Sequence, residues 1–207
     1  MTQSMVLGFA AVSFAIVIVP GPSVLFAISR AIVGGRRVAL LTVLGNAGGL
    51  FVQVVGVALG LGLVVTGSEA AYTVLKLAGA AYLTWLGISA IRHRGDAAAT
   101  LTAAPDRPSA PLRDGFVVGV TNPKSIVFFA ALLPGYIDPA AGFATAQMVL
   151  LGAVFCLIAV LCDGAWALAA ARARSWLSDD PQRLGWMSAA GGLVMIGLGL
   201  LLATSAR

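Results

Sequence analysis

Charged side chains are what this sequence has least of. Of its 207 residues only 10% are Asp, Glu, Lys or Arg, 59% are hydrophobic, and the mean hydropathy is +0.98. A soluble domain carries about 25% charge, so the composition excludes a soluble globular protein, and it excludes a disordered chain as well. Histidine occurs once and cysteine twice. They form no metal-ligand spacing and no HExxH pair, and no Gly-Lys-Ser/Thr is present to cradle a phosphate. With no enzymatic signature, the expectation is a non-enzyme that needs no cofactor and no metal. Cys156 and Cys162 share one apolar run. Helical spacing sets them about 9 Å apart along the axis, beyond the Cα separation of about 7 Å that a disulfide tolerates, so they read as small apolar fillers.

Apolar sequence is what the chain has in abundance. A bilayer core needs about 20 apolar residues per helix. Runs of that kind cover residues 5–31, 38–66, 70–91, 115–133, 144–171 and 184–203. They predict an all-α integral membrane protein with six transmembrane helices. Met1-Thr2-Gln3-Ser4 carries no basic side chain and no small-residue cleavage site stands out after the first run, so that run is read as a span and not as a removed signal.

The basic residues order the topology. Arg30, Arg36 and Arg37 follow the first run, Arg92, Arg94, Arg107 and Arg113 lie in or beside the third loop, and Arg172, Arg174 and Arg183 follow the fifth run. The loop around Gly67-Ser68-Glu69 has no Lys or Arg, nor does the one from Gly135 to Gly142. By the positive-inside rule the odd loops of this multi-pass protein are cytoplasmic and both termini lie outside. Topology therefore accounts for the net charge of +5, and no nucleic-acid partner is implied.

Prolines interrupt two of the runs. Pro20-Gly21-Pro22 lies inside the first and Asn122-Pro123-Lys124 inside the fourth. Each proline lacks an amide proton and clashes with the carbonyl four residues back, so the carbonyls of Ile16 and Ile18 lose their usual donors. Gly21 lets the chain turn without a Cβ clash. In lipid such a break survives only where protein or a cavity takes up the freed groups.

The interruptions also mark a repeat. Pro22-Ser23-Val24-Leu25-Phe26 sits in the first run much as Pro123-Lys124-Ser125-Ile126-Val127-Phe128 sits in the fourth. Ala78-Gly79 precedes Gly87 by the spacing with which Ala190-Gly191 precedes Gly199. The expected organisation is a single membrane domain, 1–207, of repeat one (1–92), a cytoplasmic linker (93–112) and repeat two (113–207). Three spans per half make the repeats inverted, with a proline-broken first helix in each, the sequence pointer to a secondary transporter. In the second run Gly45, Gly49, Gly56 and Gly60 fall on one face, flanked by Asn46 and Gln53. That face reads as a packing seam, within the bundle or across a homodimer.

Few residues can carry chemistry. Asn122-Pro123 is a good helix start, with a cap and a proline at the first position. It aims the positive end of a half-helix dipole into the break, and Pro22 does the same in the first run. Such ends attract a carboxylate, and the severed carbonyls opposite suit an ammonium or a coupling cation, which together describe a zwitterion such as an amino acid. Lys124 is poorly placed at the start of its own helix. It needs a partner (Asp163, a severed carbonyl or a substrate carboxylate) or it snorkels to the surface. Asp163 is the carboxylate lying well inside an apolar run and is the candidate for proton coupling, or else an interfacial acid. Lys76 reads either as a buried partner or as a snorkelling anchor. His93, between Arg92 and Arg94, reads as a solvated topology residue.

These residues resemble the LysE/RhtB family of bacterial amino-acid exporters. The similarity is carried by Val19-Pro20-Gly21-Pro22, Gly34-Gly35-Arg36-Arg37, the stretch from Leu75-Lys76 through Ala78-Gly79-Ala80-Ala81-Tyr82 to Gly87, Gly115-Phe116, Asn122-Pro123-Lys124 and Phe128-Phe129. It implies a protein that expels amino acids or related metabolites, driven by the proton gradient. The expected substrate-binding set is Pro20, Gly21, Pro22, Asn46, Lys76, Asn122, Pro123 and Lys124, with Asp163 coupling protons. Members of the family often carry an acidic or amide residue and, three positions on, a histidine in the second span. Leu50 and Gln53 stand there in this chain, and Asn46 supplies part of the missing polarity. Two other classes remain. A thiol–disulfide electron conduit needs a reactive cysteine beside each break, and none flanks Pro22 or Pro123. A non-transporting packing subunit would move no solute.

Overall fold

The computed structural model describes residues 1–67, 69–95, 110–173, 176, 180 and 182–204. They form helices α1 (Gln3–Val17), α2 (Pro22–Gly67), α3 (Glu69–Arg92), α4 (Pro111–Val120), α5 (Pro123–Leu132), α6 (Ala144–Arg172) and α7 (Gln182–Thr204). Short 3₁₀ turns at Leu133–Tyr136 and Pro139–Ala141 join α5 to α6. No strand occurs among the described residues. Among the described residues three stretches are long and apolar enough to cross a membrane: Pro22–Gly60, Ala144–Arg172 and Gly185–Thr204. Pro111–Val120 and Pro123–Tyr136, bent by 46° at the break between them, reach that length and apolarity together if the pair counts as one span. Leu157, Leu161, Leu193 and Leu200 are each more than half exposed on the outside of these helices. That surface suits lipid rather than water.

Both expected breaks are present. Thr2 caps α1, its side chain accepting from the Met5 amide at 3.4 Å. The helix ends at Val17 because neither Pro20 nor Pro22 can donate to it. The carbonyl of Ile18, orphaned by Pro22, receives the indole N–H of Trp166 at 2.9 Å. Asn122 caps α5, its Oδ1 accepting from the Lys124 amide at 3.1 Å.

The basic connection expected after the first run is shorter than a loop. Helix geometry continues to Gly34 and resumes at Arg36, with Gly35 (φ 74°, ψ −173°) as the turn between two limbs of α2. That φ is open to glycine and strained for other residues. Arg30, read from sequence as a topology marker, has a specific partner: its Nη2 lies 2.7 Å from Asp114 Oδ2, which fastens the first limb of α2 to α4. The linker expected over 93–112 falls mostly on 96–109, outside the described residues, and α4 already begins at Pro111.

The glycine face of α2 is half a seam. A Cβ on Gly45 would strike the Leu112 carbonyl, and one on Gly49 would strike the Phe116 carbonyl. Reciprocally, Gly115 packs on the Thr42 carbonyl and Gly119 on the Asn46 carbonyl. Glycines from both helices thus interleave and bring the backbones together. Gly56 and Gly60 do not join them, since a Cβ at either meets nothing within 4 Å. Within the protomer the expected four-glycine seam uses only Gly45 and Gly49, because α4 is ten residues long and ends at Val120, so the partner backbone stops beside Gly49.

A second seam joins α3 and α7. Gly87 abuts the Gly192 carbonyl and Ile196, while Gly199 abuts the Ala80 carbonyl and Thr84. The core between α1, α5 and α6 is aromatic. Phe128 lies 5.9 Å from Phe9 and 5.0 Å from Phe155, and Phe129 lies 4.7 Å from Phe155, centroid to centroid.

Candidate functional site at the paired helix breaks

The two breaks, a hundred residues apart in sequence, touch. Asn122 Nδ2 donates to Ser23 Oγ at 2.9 Å, and Lys124 Nζ donates to the Val19 carbonyl at 3.3 Å. Each contact has an electrostatic reason. The carbonyls at the C-terminal end of α1 carry the negative pole of its dipole, so an ammonium belongs there. Lys124, badly placed at the start of its own helix, is well placed at the end of α1. Its side chain is 8% exposed, so it does not snorkel to the surface.

The carbonyl end of the second break is met by a different donor. Gln53 Nε2 lies 3.0 Å from the Gly119 carbonyl, 3.0 Å from that of Val120 and 3.1 Å from that of Asn122. An amide NH₂ has only two protons for these acceptors, so at least one is shared. The orientation is fixed, because the opposite rotamer would aim an oxygen at three oxygens. Each severed helix end therefore has its own donor, Lys124 for α1 and Gln53 for α4. Sequence reasoning missed this role of Gln53. The available signal was its place one turn beyond Gly49, beside the face that meets α4.

Lys124 stands between two cavities. The larger, about 180 Å³, is lined by Pro20, Gly21 and Pro22 from the first break, by Pro123 and Lys124 from the second, and by residues of α3 and α7. A Cβ on Gly21 would come within 3.1 Å of Lys124 Nζ, so glycine there leaves the ammonium its room. The smaller cavity, about 20 Å³, has Asn46, Asn122, Lys124 and Asp163 in its wall. Asp163 is 4% exposed and is therefore not an interfacial acid. Its Oδ2 accepts from Asn46 Nδ2 at 3.2 Å, and it shares the wall of the smaller cavity with Lys124. The side-chain oxygens of Asn46 and Gln53 are buried without a partner. Buried polar atoms of this kind mark a place where a further donor fits.

Of the residues singled out from sequence, Pro20, Gly21, Pro22, Asn46, Asn122, Pro123, Lys124 and Asp163 line one cavity or the other. Lys76 is half-buried on α3 and lies outside the lining of both. His93 is exposed, as expected, and it also lines the larger cavity. Its Nδ1 lies 3.0 Å from the Ser89 carbonyl. Ser188, which no sequence pattern picked out, is buried in the same wall. Cys156 and Cys162 are unlinked on α6.

Residues 14–206 match the family described as LysE type translocator. A protein of Vibrio cholerae named "Uncharacterized membrane protein" is 37% identical over 186 residues, covering 90% of each chain. The "Homoserine/homoserine lactone efflux protein" of Salmonella typhimurium is 34% identical over 90% of this chain and 89% of its own. The "Leucine efflux protein" of Klebsiella pneumoniae is 28% identical over 91% of this chain and 90% of its own. No solved structure matches.

Proposed function

Because this chain belongs to the LysE type translocator family, we propose that it is a secondary transporter exporting amino acids or related small metabolites across the bacterial cytoplasmic membrane. The observation that carries the proposal is the buried ammonium of Lys124 at the meeting point of two broken helices, facing a cavity large enough for a small solute. A buried charge in a membrane protein is costly and marks a solute or ion path. The names of the relatives, homoserine/homoserine lactone efflux and leucine efflux, point to the same class of cargo.

The proposal has a mechanism. A substrate carboxylate enters the larger cavity and takes the Lys124 ammonium away from the Val19 carbonyl. Pro20, Gly21, Pro22 and Pro123 shape that wall, while Asn122 ties the two breaks so that a shift at one is felt at the other. Asn46 and Asp163 form the second wall, and Asp163 gains and loses the coupled proton. Alternating access follows as the two repeats rock about the paired breaks. Lys76, half-buried on α3, lines neither of these two cavities.

Six spans in two inverted repeats, with both termini on the outer face, complete the proposal. The α3–α7 seam supports the repeat. Gly87 packs on residues 192 and 196, Gly199 packs on 80 and 84, and adding 112 to 80, 84 and 87 gives 192, 196 and 199. One set of contacts thus appears twice with the partners exchanged, as a pseudo-twofold axis requires. The test is efflux from cells and uptake into inside-out vesicles, scanned over an amino-acid panel with and without a proton gradient. Uptake of a panel member that depends on this protein is expected, and purified protein that moves no solute would return the packing-subunit reading.

A further inference from the structure

Every ionisable side chain of the larger cavity is basic. Lys124 supplies an ammonium in its wall and His93 an imidazole at its exposed edge. The other side chains are the hydroxyls of Ser89 and Ser188 and apolar groups including Leu25, Leu86, Ala90 and Met195. No Asp or Glu is among the lining residues. Asp163 lies in the wall of the smaller cavity, already hydrogen-bonded to Asn46. The approach carries the same sign, for His93 is flanked in sequence by Arg92 and Arg94, both exposed. Arg94 is held over the Trp186 ring at 4.7 Å.

From this we infer that the cavity is a selectivity chamber for small carboxylates with an uncharged side chain, and that it rejects dibasic amino acids. This rests on the exporter reading and narrows its cargo. The carboxylate of such a solute pairs with Lys124. The α-ammonium of an amino acid finds partial negative charge in the backbone carbonyls of the first break. A hydroxyl on the side chain reaches Ser89 or Ser188, and an alkyl side chain packs on Leu86 and Met195. A terminal ammonium or guanidinium finds no carboxylate, sits close to Lys124 and loses its water. Rejection of that kind comes from an unpaired buried charge, which discriminates more sharply than a difference in size.

Uptake into inside-out vesicles tests this, with labelled leucine, homoserine, lysine and arginine supplied separately. Leucine or homoserine is expected to be carried, and lysine and arginine at least about tenfold less well, a difference worth about 1.4 kcal/mol. Placing a carboxylate in the wall by Ala90→Asp, with Met195→Glu as a second variant, is expected to raise lysine uptake relative to leucine. Lysine carried by wild-type protein as well as leucine would overturn the inference and leave the exporter reading intact. No solute carried at all would overturn both. Leucine uptake retained in a carboxylate variant, with lysine still excluded, would overturn charge as the cause.

Discussion

The side-chain amide of Asn122 donates to Ser23 Oγ at 2.9 Å and so joins the start of α5 to the start of α2 across 99 residues of chain. The same side chain caps α5 through its Oδ1. The two bonds can be separated by mutation. Ser23→Ala removes only the link between breaks and should cost about 1 kcal/mol, a typical net hydrogen bond. Asn122→Ala removes the cap too and should cost about 1 kcal/mol more. Thermal unfolding in detergent measures both, and the double mutant should be no worse than Asn122→Ala alone, because the link is already gone.

Gln53 carries a prediction of its own. Gln53→Leu keeps the bulk but takes the donor from the Val120 carbonyl, while the Gly119 carbonyl keeps the Asn122 amide and the Asn122 carbonyl keeps the Ser125 hydroxyl and the Ile126 amide. A buried group left unpaired costs about 1–3 kcal/mol, so this variant should lower the unfolding temperature more than Ser23→Ala does. Equal thermal stability of Gln53→Leu and wild type would show that the Val120 carbonyl does not depend on this donor.

Gly49 and Gly119, inside the α2–α4 seam, and Gly56 and Gly60, beyond it, have opposite outcomes. Gly49→Ala drives a methyl group into the backbone of α4, and Gly119→Ala drives one into the backbone of α2. Each must push the helices apart, with overpacking costs of about 1–3 kcal/mol. Gly56→Ala and Gly60→Ala meet open space and, in mid-helix, should be neutral or gain up to about 1 kcal/mol from lower chain entropy in the unfolded state. Unfolding of the four single variants side by side is the measurement. Sensitivity at Gly56 or Gly60 equal to that at Gly49 would mean a partner, such as a second copy of the chain, covers that stretch.

Asp163→Asn keeps the shape and the Asn46 contact while removing the titrating group. It should fold, bind solute and exchange it across the membrane, yet lose the dependence of net transport on an imposed proton gradient. Counterflow and gradient-driven uptake in the same vesicles separate the two. Gradient-driven uptake at the wild-type level in Asp163→Asn would remove this carboxylate from the coupling.

The sequence was most legible where physical chemistry leaves one outcome. Pro20, Pro22 and Pro123 lack an amide proton, and the helices stop where that requires. Asn122 caps because its side chain and the following proline suit that position. Relationships between elements were less legible. Gly56 and Gly60 share a face with Gly45 and Gly49, but where the partner helix ends is a property of α4 and not of α2. Lys124 had three candidate partners, and its bond to Val19 became visible only when the end of α1 was placed beside it. Gln53 looked like a lost histidine position until the carbonyls of α4 turned toward it. His93 reads as one more basic loop residue in the chain, and lines a cavity only because α3 ends against the breaks.

Lys124 is where the account is most directly tested. Labelled leucine and homoserine uptake into inside-out vesicles should be compared for wild type, Lys124→Met and Lys124→Arg, at equal amounts of folded protein. Wild type should take up solute, Lys124→Met should fall to the level of vesicles without the protein, and Lys124→Arg should retain a part. Wild-type uptake in Lys124→Met would contradict the central claim that the ammonium shared between the two breaks receives the solute.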